Sequence, residues 1–176
     1  MGLIVCNNFE NSTDVLVAGR VGTEKYRLAL KTETPVVKSD WITSSAKSGK
    51  LLDIEAFKVP ALFGCMVCVT GLNTDNRLKV QQLCEQNGAI YNSSLLPGYT
   101  HLIAKVGFYC TFQILNFSKK RGSEKFEFAL KNNTNVVTIK WIEDSVKRKC
   151  AQDESQYFLQ NLTEEEKKQC NENLAR

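Results

Sequence analysis

At 176 residues, 43% apolar and 24% charged, the chain has the composition of a soluble globular protein of one or two domains, and a net charge of +4 is too small to announce a bulk nucleic-acid binder. No apolar run approaches 18 residues and no charged-then-apolar leader opens the sequence, so neither secretion nor a membrane span is expected. Seven irregularly spaced cysteines read as reduced intracellular thiols, and a single histidine, His101, leaves little material for a metal site or an acid–base pair.

In chain order, Leu3 to Cys6 and Asp14 to Ala18 read as short strands, Thr23 to Lys31 as a helix, Val36-Val37 as a strand and Trp41 to Ser48 as a helix closed by Gly49. Asp53 to Leu62, with Pro60, reads as a short linker. Cys65 to Thr70 is then an apolar, β-branched run bounded by Gly64 and Gly71, the pattern of a strand buried on both faces. A helix is expected from about Asn76, capped by Thr74 or Asp75, with Val80, Leu83, Cys84 and Asn87 on its inner face and Gly88 ending it. Strands at Ala89 to Tyr91 and Thr100 to Ala104 flank a polar turn from Asn92 to Gly98. Ser123 is expected to cap a helix through about Lys131, stopped by Asn132-Asn133. Val136 to Ile139 is the last strand, and a final helix carries Trp141, Ile142, Ser145 and Val146 inward. Short apolar strands alternating with helices call for an α/β fold with parallel sheets covered on both sides.

The order of elements occurs twice. At an offset of 100, Gly22 to Lys47 matches Gly122 to Lys147 at 13 of 26 positions. At an offset of 86, Gly2-Leu3-Ile4 matches Gly88-Ala89-Ile90, and Val15 to Ala18 matches His101 to Ala104. The change of offset places 14 extra residues in the second copy between Lys105 and Gly122. Phe63 to Asn87 has no counterpart in the first copy, which therefore lacks an opening strand and its helix. A unit of that size barely offsets chain entropy, so the first copy is expected to be poorly stable alone. The expected domains are a partial repeat at 1–59, a complete repeat at 60–159 with an insertion near 106–121, and a charged tail at 160–176.

Some features carry chemistry only in combination. Cys65-Met66-Val67-Cys68 has the spacing of half a zinc site, but residues three apart on a strand point to opposite faces, so no metal is expected. Lys119-Lys120-Arg121 and Lys147-Arg148-Lys149 are basic clusters that a solvated surface also explains. The apolar run Phe108 to Phe117 lies inside the insertion. It reads either as a docking segment or as an artefact of how the coding sequence was assembled.

Val67-Cys68-Val69-Thr70-Gly71-Leu72, Thr100-His101-Leu102-Ile103-Ala104, Lys125-Phe126, Val136-Val137, Trp141-Ile142 and Cys150 to Tyr157 together resemble the BRCT family of phosphopeptide-recognition modules. In the first copy Val17-Ala18-Gly19, Lys25-Tyr26, Val36-Val37 and Trp41-Ile42 are similar to the same family, in particular to the paired repeats of topoisomerase II-binding scaffolds and their yeast relatives. The resemblance covers roughly residues 2 to 159. It implies tandem repeats, each built on a four-stranded parallel sheet flanked by helices, the first missing its opening strand and helix. It also implies a nuclear, non-enzymatic scaffold of DNA replication initiation and the DNA-damage checkpoint that binds phosphoserine or phosphothreonine proteins, without cofactor, membrane or small-molecule substrate.

The phosphate site that this resemblance implies consists of Thr70, Gly71 and Lys125, supported by Arg77, with Lys25 a weaker candidate in the first copy; Trp41 and Trp141 are expected in the core. The chemistry is sound. A phosphate monoester has nearly two negative charges and three acceptor oxygens, which a hydroxyl, an unobstructed backbone N–H, a helix amino end and a cation can hold together. Taken singly, Thr70-Gly71 is also an ordinary strand end, Lys125 a solvated helix residue, and Arg77 half of an exposed salt bridge. The competing reading is a phosphate-independent structural module, or one with weak DNA contact through its basic clusters. An enzyme is disfavoured, since no dinucleotide or Walker glycine loop and no acid–base pair is present.

Overall fold

Parallel pairing organises both halves of the chain in the computed structural model, which describes residues 2–105, 123–159 and 165. The insertion near 106–121, with Phe108 to Phe117 and Lys119-Lys120-Arg121, and all of the 160–176 tail but Glu165 lie outside the described residues. In the first copy Leu16–Val17 (β1) pairs with Val36–Val37 (β2), and the helices Glu24–Lys31 (α1) and Asp40–Ser48 (α2) follow them. Thr23 caps α1 by accepting from the Tyr26 N–H, and Gly49 closes α2 at φ 71°.

The second copy runs Met66–Thr70 (β3), Thr74–Gln86 (α3), Ile90–Tyr91 (β4), His101–Ala104 (β5), Ser123–Lys131 (α4), Asn135–Val137 (β6) and Ile139–Lys147 (α5). Its sheet is all parallel in the order β4-β3-β5-β6, with Val67 opposite both Tyr91 and His101. Cys65 and Cys68 join different apolar clusters on the two sides of this sheet. Burial raises the Cys65 thiol to about 12.

Four local expectations are corrected. Leu3 to Cys6 forms no strand: in the second copy the equivalent β4 pairs with β3, and the first copy has no such neighbour among the described residues. Ile4 and Val5 accordingly stand 90% and 84% exposed. Asn73, rather than Thr74 or Asp75, caps α3, its side chain accepting from the Asn76 N–H, so the helix starts at Thr74. Ile139 begins α5 instead of ending a strand. The supposed linker is packed: Glu55–Phe57 is a 3-10 turn, Lys58 bridges Val37, and Leu62 is fully buried.

The repeat also extends beyond its visible sequence match. Trp41 donates its indole N–H to the Leu52 carbonyl at 2.8 Å, and Trp141 donates to the Gln152 carbonyl at 2.9 Å. Ser45 accepts from the Leu52 N–H and Ser145 from the Gln152 N–H, at 3.1 and 3.0 Å. Antiparallel bridges Val37–Lys58 and Val137–Phe158 complete the correspondence. Both tryptophans are buried.

One apolar cluster joins the copies, with Val21, Tyr26, Ala29 and Leu62 packed among Val67, Val80, Trp141, Ile142 and Tyr157. Around it the joint is polar and specific. The buried Tyr26 hydroxyl accepts from the Ala151 N–H at 3.1 Å, and Arg27 pairs with the buried Glu154 at 2.6 Å. His101 reaches the other oxygen of Glu154 at 3.3 Å and stacks on Trp141 at a centroid distance of 4.1 Å. Gly64, at φ 72°, lies so close to the first copy that a Cβ there would stand 2.6 Å from the Gly19 carbonyl oxygen.

Candidate functional site

In a parallel sheet whose connections leave a strand in opposite directions, the carboxyl ends of the strands beside that reversal form a natural crevice. Here β3 connects through α3 to β4 on one side, while β5 lies on the other. The reversal falls at Thr70 and Ala104, which are paired in register.

Thr70 is the last residue of β3 and is buried. Strand alternation puts its side chain on the same face as Cys68, the face covered by Phe126 and Ala129 of α4. Lys125 comes from the first turn of α4, and its Nζ donates to the Val69 carbonyl at 3.2 Å, to the Ser93 carbonyl and to Cys68 Sγ at 3.5 Å. The ammonium is therefore held beside the peptide unit that joins Val69 to Thr70. Val69 O faces the β4 side, where β4 has already ended, so the lysine caps a carbonyl that the sheet leaves over.

Gly71 follows at φ 72°, exposed, and lines a cavity of about 320 Å³ with Leu72, Asn73, Asn76 and Lys105. The amino end of the 13-residue α3 opens there, adding its dipole. Arg77 takes a different place: its Nε donates to the Leu72 carbonyl at 2.8 Å, bracing the turn between β3 and α3. Its charge also acts on Tyr91, whose phenol is raised by burial against that pull. Lys125 thus stands beside the last peptide of β3, the cavity at Gly71 is lined by neither Thr70 nor Lys125, and Arg77 supports the turn that follows the strand.

In the first copy Lys25 donates to the Asn7 carbonyl, the position equivalent to Ser93 at an offset of 86. A cavity of about 650 Å³ there is lined by residues including Val17, Gly19, Arg20, Thr23 and Lys25.

Sequence reasoning missed Lys105, Asn73 and Asn76. Their signal was position: Lys105 directly follows β5, so at the switch point its backbone must sit beside Gly71, and its N–H indeed faces the Thr70 carbonyl at 3.4 Å.

Comparisons with known proteins match residues 65–141 to the twin BRCT domain. The S-M checkpoint control protein rad4 of Schizosaccharomyces pombe is 28% identical over 174 residues, covering 94% of this chain and 24% of that protein. The chain thus spans about a quarter of the length of that relative. Among solved structures, Rad4 BRCT1,2 in complex with a Crb2 phosphopeptide superposes with a TM-score of 0.65 at 28% identity, covering 86% of this chain and 80% of the other. The same repeats in complex with an Mdb1 phosphopeptide give 0.65 at 27% identity, covering 86% and 81%.

Proposed function

We propose that this chain, which belongs to the BRCT-repeat family, is a scaffold module that binds phosphoserine or phosphothreonine segments of nuclear proteins in checkpoint signalling and in the initiation of DNA replication. The observation that carries the reading is the Lys125 ammonium fixed 3.2 Å from the Val69 carbonyl, next to Thr70 and Gly71 at the switch point. The likeness to two solved repeats that hold phosphopeptides supports it.

The proposed chemistry is recognition. Lys125 has three N–H donors, and the weakest of their present acceptors is the Cys68 thiol. A phosphate oxygen arriving at the strand end is drawn by the ammonium charge and competes with these acceptors for its N–H donors. The Gly71 N–H and the Thr70 hydroxyl supply further donors, Arg77 keeps the turn in shape, and Lys105 lies across the cavity. We assign the module no catalysis and no cofactor, and we place it in the nucleus with its partners.

Calorimetric titration with matched phosphorylated and unphosphorylated peptides tests this. Binding of the phosphorylated form alone, lost in Lys125→Ala, supports the proposal; equal binding of both forms refutes it and favours a phosphate-independent module. Steep salt dependence of DNA binding would mark the DNA-contacting version of that alternative.

A further inference from the structure

The cavity of about 320 Å³ at Gly71 is a space apart from the proposed phosphate contacts, since neither Thr70 nor Lys125 lines it. Its walls are Gly71, Leu72, Asn73, Asn76 and Lys105, brought together where the turn after β3 meets the end of β5. What such a space accepts depends on which of its polar groups still need partners.

The acceptors at this wall are largely taken. Arg77 donates through Nε to the Leu72 carbonyl at 2.8 Å and through its backbone N–H to the Asn73 carbonyl at 3.0 Å. The Asn73 side-chain oxygen accepts from the Asn76 N–H at 3.0 Å, and the Lys105 N–H faces the Thr70 carbonyl at 3.4 Å. The donors are in the opposite state: among the described residues, the Gly71 N–H, the Asn73 side-chain NH2 and the Lys105 ammonium meet no acceptor. No carboxylate among the described residues lines the space, and Asp75, in the first turn of α3, stands exposed outside it. Unused donors around a cation fit an oxyanion, because an ionised carboxylate or phosphate offers acceptors alone.

The fold does not require a lysine here. At the repeat offset of 86 the position of Lys105 is held in the first copy by Gly19, which follows β1 as Lys105 follows β5. The half-buried side chain of Lys105 makes no ion pair among the described residues, and only its backbone bonds to the strand end.

We infer that this cavity is a second recognition subsite, in which Lys105 and the Asn73 amide select an oxyanion-bearing side chain, an acidic residue or a second phosphorylated one, next to the phosphoresidue of the bound segment. The inference rests on the phosphate reading above and names the class of peptide that reading leaves open. Adjacent residues of a peptide lie about 3.8 Å apart, so a segment whose phosphate takes the Gly71 N–H brings a neighbouring side chain to the Lys105 side of the cavity.

The test is calorimetric titration of the 176-residue protein with short phosphothreonine peptides that differ only at the residue before or after the phosphothreonine, with aspartate, asparagine or phosphoserine there. On one of the two sides an oxyanion should bind about five- to tenfold tighter than asparagine. Lys105→Gln should erase that gap while leaving the asparagine peptide within about twofold, and Lys105→Arg should keep it. Lys125→Ala should weaken every phosphopeptide and preserve the gap. An unchanged melting temperature checks that each variant is folded. A gap shown by aspartate assigns the subsite to acidic residues; one shown by phosphoserine alone assigns it to a second phosphate. Equal affinity for all three peptides, or a gap that survives Lys105→Gln, overturns the inference and leaves the phosphate reading standing. If Lys105→Gln instead removes the preference for phosphorylated over unphosphorylated threonine, the phosphate itself occupies this cavity and the inference falls. Failure of every phosphopeptide to bind removes both.

Discussion

Lys25 and Lys125 stand at the same position of the repeat, each in the first turn of its helix and each reaching a carbonyl of the same loop, Asn7 in one copy and Ser93 in the other. Only Lys125 also has a strand end beside it, with the Val69 carbonyl, Thr70 and Gly71 in place. The difference separates two contributions that sequence identity blurs. A helix-borne lysine is present in both copies, but the proposed anion cradle also needs the strand terminus and the glycine amide that β3 brings.

The sharpest way to break this comparison is at the core. Ile142→Ala removes a fully buried side chain between α3 and α5 and should cost about 2–5 kcal/mol, read from the midpoint of urea unfolding. Ile42→Ala, the same change in the first copy, should cost less than about 1 kcal/mol, since the methyl groups it removes are partly in water already. Equal losses would mean that the two copies are equally covered in solution.

The next comparison concerns the lysines. Lys125→Ala should lower phosphopeptide affinity by about 10- to 100-fold, the range for a charged hydrogen bond, while Lys25→Ala should leave it within about twofold. An effect of comparable size is expected at the joint. Tyr26→Phe leaves the buried Ala151 N–H without its acceptor and should cost about 1–3 kcal/mol. The equivalent Phe126 has no hydroxyl to lose, so that bond belongs to the junction and not to the repeat.

Much of this was legible in the sequence because both copies carry the same residues where backbone and core demand them. Val36-Val37, Trp41 and Gly49, and in the second copy Thr70-Gly71 and Lys125, all sit at elements that periodicity alone located. What stayed hidden depended on partners distant in the chain. Leu3 to Cys6 has a strand's composition, but a strand exists only through its neighbour, and local pattern cannot report that the neighbour is missing. The turns at Glu55–Phe57 and Glu154–Tyr157 share a conformation while sharing few residues, because the Trp41 and Trp141 indoles and the Ser45 and Ser145 hydroxyls fix them through backbone groups. Arg77 and Lys105 show a third limit: spacing indicates that a basic residue is near a site, and only geometry says whether it braces the turn or faces the cavity.

The smallest expected effect follows from a pair that the first copy lacks altogether. His101 and Glu154 correspond to Val15 and Ile54 at their respective offsets, so only the junction side of the second copy can titrate in this way. Burial holds the His101 ring below its ordinary value, with the hydrogen bond to Glu154 opposing that shift. Burial alone would raise Glu154, but hydrogen bonds from His101 and Arg27 overcome it and hold the carboxyl below its ordinary value. Both shifts have the same sign for stability. The unfolded chain takes up a proton on His101 near its usual value of about 6.5, before the folded ring, whose value is lower, so stability present above that pH falls as acid is added. Glu154 adds a second loss, beginning below about 4.3 and continuing through its depressed folded value. Between pH 7 and 5 only the histidine contributes, and a drop in melting temperature of about 2–4 °C is expected, the shift that roughly 1 kcal/mol produces in a chain of this size. His101→Gln should flatten that step while leaving the acid limb below about pH 4.3 in place, and an unchanged step would assign the titration to some other group.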